Sequence, residues 1–390
     1  MKPKEPGPMD DHPRARTLLL AAVCAVAVAT IYAAQPVLVS MGADLGIDDG
    51  TLGWIVAAGQ LGYLVGLVTL VPLGDLADRR RLLAGHLLLA GTASALVAVA
   101  GSAGVVLAGL ATTGLFAVVV QTAVAYAADL APAAERGRAI GVATSGVVLG
   151  ILGVRMVAGV LADAAGWRSV YAVLALASVV LAGLVLVVLP CDRRSARASS
   201  YRAVVGGFGM LLRDRLFLSR GLVAFFLFAS FGTLWSGLAL PLADRPWHLG
   251  ATQVGLFGLA GLAGALGAAR TGRWADAGRG RSTTTTALVL LVVSWLAIAQ
   301  ASWSLWVLGA GVVLLDLAVQ AVHVDNQHRL TRAHPERASS VIGGYMVFYS
   351  LGSALGAATT AAAYAAGGWA ASSILGAVLA VGALGAATLL

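Results

Sequence analysis

Asp316, Gln320, His323 and Gln327 follow one another at i, i+4, i+7 and i+11 along one apolar run. On a helix that spacing puts all four on one face, a polar stripe down an apolar rod. A carboxyl group, two amides and an imidazole in line suit two tasks, binding a polar molecule and passing a proton. An ionised side chain deep in a membrane costs roughly 3 kcal/mol on insertion scales, so it faces a cavity or a partner. That cost makes Asp316 the candidate proton carrier, and His323 a candidate relay or sensor. Arg155 is the only other charge placed deep, and its fixed fork of donors suits an anionic or hydroxyl-bearing molecule. A permanent Arg155–Asp316 pair would instead keep Asp316 ionised and end its use as a carrier. Mutual satisfaction of these groups in helix packing is the plainer alternative, and all three readings stand on sequence alone.

Tyr32 and Gln35 in the first apolar run, Gln121 in the fourth, and Trp235, Tyr345 and Tyr349 elsewhere could complete an amphipathic lining. Taken singly, each aromatic fits packing or interfacial anchoring as well. Asp325, His328 and His86 fall near the ends of apolar runs, where solvated or snorkelling side chains are expected. No cluster of His and Asp ligands, no nucleophile beside a base and no G-x-x-x-x-G-K-[ST] loop occurs in the sequence. The expectation is therefore no catalytic residue, no metal and no cofactor, with ATP excluded as the energy source within this chain.

The elements that must hold these residues are long apolar helices. The 390 residues are 59% apolar and only 11% charged, with 49 Gly, where a soluble domain has about a quarter charged. At about 20 residues per bilayer crossing, twelve spans are predicted, at about 17–40, 51–74, 82–101, 105–128, 139–162, 168–190, 217–241, 251–270, 284–301, 304–325, 340–363 and 369–389. With the amino terminus in the cytoplasm, every Lys and Arg except Arg155, Arg168 and Arg245 falls on the cytoplasmic side, as the positive-inside bias requires. The net charge of +8 thus orients the chain in a membrane and argues against a nucleic-acid partner. The predicted organisation is a cytoplasmic tail (1–16), a six-helix bundle (17–190), a cytoplasmic linker (191–216) and a second six-helix bundle (217–390). Both termini then face the cytoplasm. Cys24 and Cys191 lie too differently for a disulfide.

Two charged hinges mark the halves. Gly74, Asp78, Arg79, Arg80 and Arg81 lie between the second and third apolar runs, and Gly272, Asp276, Arg279 and Arg281 between the eighth and ninth. Other pairs recur at the same separation of roughly 200 residues: Val120–Gln121 with Val319–Gln320, Glu135–Arg136 with Glu336–Arg337, and Gly166–Trp167 with Gly368–Trp369. With Asp78 and Asp276, Ile140–Gly141 and Ile342–Gly343, and Leu149–Gly150 and Leu351–Gly352, six such pairs in order imply two copies of one membrane unit, a transporter plan with its site between the halves. An Asp at such a hinge could accept N–H groups at a neighbouring helix start. Gly255, Gly258, Gly261, Gly264 and Gly267 recur every third residue, and Gly141, Gly146, Gly150, Gly153 and Gly159 share another span. Small faces of this kind let helices approach and slide.

With these hinges and stretches such as AQPVL, VPLGD, VQAVHVDNQ and YMVFYSLGSALG, the chain resembles the major facilitator superfamily. Within it, the bacterial drug-and-sugar efflux branch is the most similar. The resemblance covers the chain from about residue 17. It implies twelve transmembrane helices in two pseudo-symmetric bundles, a central cavity lined by spans 1, 4, 7 and 10, and charged loops that latch the cytoplasmic side. One departure stands out. The branch pattern G-x-x-x-G-P-x-x-G-G reads GILGVRMVAG from Gly150 to Gly159, with Arg155 in the place of proline. The expected function is alternating-access transport of a small organic molecule across the cell membrane, as proton-coupled efflux of a drug, sugar or metabolite. A proton-coupled nutrient importer is the alternative, and a channel or intramembrane enzyme the one from another class. The protein is expected to act as a monomer.

Overall fold

The computed structural model describes residues 12–132, 135–191, 211–274, 280–334 and 338–388. Among them every regular element is a helix. The first half holds α1 (His12–Tyr32), α2 (Ala34–Leu45), α3 (Gly53–Thr69), α4 (Arg79–Ala98), α5 (Ala103–Ala117), α6 (Val119–Leu130), α7 (Arg136–Ala165) and α8 (Trp167–Val188). The second holds α9 (Arg215–Gly237), α10 (Ala239–Ala243), α11 (Ala251–Trp274), α12 (Gly280–Ile298), α13 (Leu305–Ala333) and α14 (Ala338–Thr388). Among the described residues, nine helical segments are long and apolar enough to cross a membrane. Two shorter apolar stretches, Ala251–Gly267 and Thr284–Ile298, lie in α11 and α12. Twelve spans follow when these are added and α14 is counted as two. The linker expected at 191–216 falls mostly outside the described residues.

α14 is two helices joined at a break. Gly367 (φ −154°) and Gly368 (φ 65°) leave helical geometry within it, and the positive φ is one that glycine adopts at little cost. Gly166, between α7 and α8, has φ 78°. The repeat seen in the sequence is therefore a repeat of backbone shape. Each glycine precedes a Trp whose indole N–H is tied down within its own half: Trp167 donates to Asp44 Oδ2 at 3.2 Å, and Trp369 to the Ile298 carbonyl at 2.8 Å.

Side chains are distributed as a membrane interior demands. Trp306, at 91% exposure, and Val187, Leu176 and Ile374 project outward, where lipid rather than water would meet them. Polar groups turn inward instead. With lipid as apolar as leucine, helix association rests on close packing of small residues. Gly146 and Gly150 lie against the backbone of Ala21 and Ala25 in α1, so this part of the glycine run joins helices within one half.

Between the halves α3 packs on α14, α7 on α11, and α2 on α10. A Cβ on Gly53 would overlap the Ala357 carbonyl oxygen, one on Gly159 that of Ala251, and one on Gly255 that of Arg155. Gly53, Gly159 and the start of α11 all lie toward one end of the bundles, that of the α2–α3, α7–α8 and α10–α11 turns. At this far end Asp163, near the C-terminus of α7, accepts from the backbone N–H groups of Ala251 (3.2 Å) and Thr252 (2.8 Å). A carboxylate of one half thereby caps the first turn of a helix in the other.

Candidate functional site

Two prolines open the centre of the molecule. Proline lacks an N–H, and its ring conflicts with the carbonyl four residues earlier. For Pro36 that carbonyl belongs to Tyr32, where α1 ends; for Pro241 it belongs to Gly237, where α9 ends. The two breaks face each other across a cavity of about 10 Å³ lined by Gln35, Pro36, Arg155, Trp235, Leu238 and Val254. That is room for about one water.

Arg155 enters this cavity from α7 and is 2% exposed. Its Nε donates to Gln35 Oε1 at 2.9 Å. The guanidinium carbon stands 3.5 Å from the centroid of the Trp235 ring, and 5.8 Å from those of Tyr32 and Phe231. Nη1 and Nη2 have no hydrogen-bond partner among the described residues. Gly258 of α11 makes room for it, since a Cβ there would begin 3.4 Å from the Arg155 Cβ.

Asp316, on α13, is also 2% exposed, and its Oδ2 has no hydrogen-bond partner among the described residues. A Cβ on Gly261 would lie 2.9 Å from Trp235 Cζ2 and 3.1 Å from Asp316 Oδ2, so carboxylate and indole meet over this glycine. The Trp235 N–H lies close to the carboxylate but outside hydrogen-bond geometry. Arg155 and Asp316 form no ion pair within 4.0 Å. The permanent direct pair weighed from the sequence is absent between these two described residues.

A second tier of polar groups lies toward the opposite end. The hydroxyls of Tyr32 and Tyr349 hydrogen-bond to each other across the two halves. Phe228 sits between, its ring centroid 4.0 Å from that of Tyr349 and 5.1 Å from that of His323. His323 Nδ1 lies 3.0 Å from Tyr345 Oη, and its Nε2 lies 3.1 Å from Gln327 Nε2. The predicted stripe is therefore linked at its His323–Gln327 end. Gln320 is half-buried on the same helix. In the first half Gln121 Nε2 donates to Tyr63 Oη at 3.1 Å.

Several expectations change. Arg155 and Asp316 are not the only charges buried within the protein: Arg79 is 4% exposed, Arg220 6% and Asp325 7%. Arg220 Nη1 reaches Asn326 Oδ1 at 3.5 Å. Asp325, expected to be solvated, accepts from Thr284 Oγ1 at 2.5 Å and from Arg329 Nε at 2.7 Å. His86 is buried against Phe116, their ring centroids 5.7 Å apart, whereas His328 is exposed as expected. Gln60, which is buried, and Tyr63, Phe228 and Phe231, which touch Gln121, Tyr349 and Arg155, were not singled out. Gln60 and Arg220 carried a signal, a polar or charged residue inside an apolar run; the aromatics carried none.

The first charged hinge is built from local contacts. Asp78 accepts from the N–H groups of Arg80 (2.9 Å) and Arg81 (3.4 Å), so it caps its own helix α4 rather than a neighbour. Arg79 is buried; its Nε donates to the Gly74 carbonyl at 3.1 Å and its Nη1 to Asp129 Oδ2 at 2.5 Å. Arg80 donates to the Leu186 carbonyl and to Cys191 Sγ, and Arg81 is exposed. In the second hinge Gly272 ends within α11 and Arg281 begins α12, while Asp276 and Arg279 lie outside the described residues.

The geometry has known counterparts. The sequence profile of the Major Facilitator Superfamily matches residues 18–329. An uncharacterized transporter of Escherichia coli, YgaY, is 41% identical over 368 residues, which is 93% of this chain and 92% of its own. A chloramphenicol resistance protein of Streptomyces lividans is 31% identical over 262 residues, 61% of this chain and 65% of its own. Among solved structures, a bacterial homolog to the human lysosomal transporter Spinster, in an inward-facing and occupied conformation, matches 98% of this chain and 97% of its own with a TM-score of 0.77. At 13% identity that likeness shows the fold. With the profile spanning most of the sequence, and two bundles meeting at a proline-broken centre, the chain belongs to the Major Facilitator Superfamily of multi-pass membrane transporters.

Proposed function

We propose that the protein is a proton-coupled exporter of a small organic molecule, working by alternating access with both termini in the cytoplasm. One observation carries the reading. Arg155 and Asp316, one from each half, lie buried against the same indole with unpartnered polar atoms. Leaving such atoms unsatisfied costs about 1–3 kcal/mol each, more when charged, and a bound molecule and a proton would relieve it. In this scheme Arg155, Tyr32, Gln35, Gln121 and Gln320 bind substrate, Asp316 carries the proton and His323 relays it. Residues 17–190 and 217–390 rock against each other about the linker. The loops around Asp78 and Asp276 are the cytoplasmic latch, with Gly74, Arg79, Arg80, Arg81, Gly272, Arg279 and Arg281 supporting it. The positive-inside bias supports the orientation, and the far-end seal then belongs outside, which fits a state closed outward. Similarity to a chloramphenicol resistance protein supports export.

Proteoliposomes loaded with a pH-sensitive dye test this, with wild type compared against Asp316→Asn over a panel of small organic molecules. Substrate-dependent proton movement in wild type and its loss in the variant are the expected result. Protons running opposite to the substrate mark export, and protons running with it mark import. Equal proton movement in the variant would remove Asp316 from the proton path.

A further inference from the structure

Opposite charges in a medium of low dielectric attract strongly and close to contact unless something holds them apart. Here something does. Arg155 is held by Gln35 through Nε and stacked on the face of Trp235, while Asp316, on α13 of the other half, lies near the Nε1–Cζ2 edge of that indole. Among the described residues, two donors, Nη1 and Nη2, and one acceptor, Oδ2, are left without partners. Both residues are 2% exposed, so water does not serve them as it would at a surface.

A simple anion would satisfy the guanidinium but bring a like charge toward Asp316. A simple cation would do the reverse. A molecule with an acceptor at one end and a donor at the other satisfies both sides at once. We infer that this site takes a dipolar ligand, with a carboxylate or equivalent anion on Arg155 Nη1 and Nη2, a protonated amine on Asp316 Oδ2, and its apolar body against Trp235 and Phe231. The inference rests on the transport reading, since it names the substrate class of that same site. It also gives Trp235 a task, that of keeping the two poles apart, with the guanidinium on its face and the carboxylate near its edge.

The test compares matched sets on the purified full-length protein in detergent, followed by thermal stability and by tryptophan fluorescence. One set is phenylalanine, phenylpropionate and phenylethylamine; a second is leucine, isocaproate and isopentylamine; a third is glycine, acetate and methylamine. Within each set the body is shared and one pole is removed. In at least one set the dipolar member should bind at least about tenfold tighter than both single-pole analogues, because charge-assisted contacts at both ends are lost one at a time. Asp316→Asn should erase its advantage over the anion, and Arg155→Gln its advantage over the amine. Single-pole members binding as tightly as the dipolar one, or no binding in any set, would overturn the inference. If an anion alone binds and Arg155→Gln abolishes this, the transport site stands and only the two-pole requirement falls. If, in addition, no molecule drives Asp316-dependent proton movement in proteoliposomes, the transport reading falls with it.

Discussion

At the scale of single residues, the centre depends on donor geometry as much as on charge. Arg155→Lys keeps a cation but loses the planar fork and the stacking on Trp235. Transport driven by the best substrate should fall by about tenfold, the equivalent of about 1.4 kcal/mol, with the rate in proteoliposomes as the measure. Tyr349→Phe removes one hydroxyl of the pair that joins the halves and leaves Tyr32 with one fewer partner. A buried hydrogen bond is worth about 1 kcal/mol net, so the variant should unfold at a lower temperature by a few degrees in a detergent melting scan. An unchanged melting point would show that the Tyr32–Tyr349 contact contributes nothing to the folded state. Arg155 and Asp316 were legible in the sequence because a charge inside an apolar run has few physical excuses. Arg220 gives the same sign, a charge inside the predicted span 217–241, but it lies close to the cytoplasmic start of that span. Phe228 and Phe231 were illegible: an aromatic facing a cavity and one facing a core read alike until the helix faces are known.

Among elements, the seam between α7 and α11 and that between α3 and α14 set how closely the halves meet. The glycine periodicity announced close approach, but not which neighbour each glycine meets. Gly146 and Gly150 turned out to serve α1, and only Gly159 among those described there lies against α11. A side chain at Gly53 would drive into the Ala357 carbonyl, a wedge at the far-end seam only. Gly53→Val is expected to favour the conformation in which that end is open. In a Val254→Cys background it should speed maleimide labelling of the buried cavity wall, with Cys24 and Cys191 replaced by Ala. The cap that Asp163 places on α11 acts in the same direction. Its loss in Asp163→Ala removes about 1 kcal/mol from the closed end, and the labelling rate should rise by about fivefold. Unaltered labelling in both variants would mean that the far end does not open at this seam.

The whole molecule is two copies of one unit, and its repeat was readable because the chain reuses backbone shapes as well as residues. Gly166–Trp167 and Gly368–Trp369 pair a positive φ with an anchored indole, and the breaks before Pro36 and Pro241 pair in the same way. What the sequence could not supply was the relation between the copies, since a glycine or a carboxylate does not say which backbone of the other half it meets. If transport requires the halves to part at the far end, a covalent tie there must stop it. A Cβ on Gly50 would lie 3.6 Å from the Ala365 Cβ across the two halves, within the range of about 3.5–4.5 Å that a disulfide spans. Gly50→Cys combined with Ala365→Cys, in a background lacking Cys24 and Cys191, should cross-link on mild oxidation and lose transport. Reduction should restore it, while either single variant should transport equally in both states. Substrate movement through a fully cross-linked protein would show that the two bundles do not separate at that end, and that passage proceeds without alternating access.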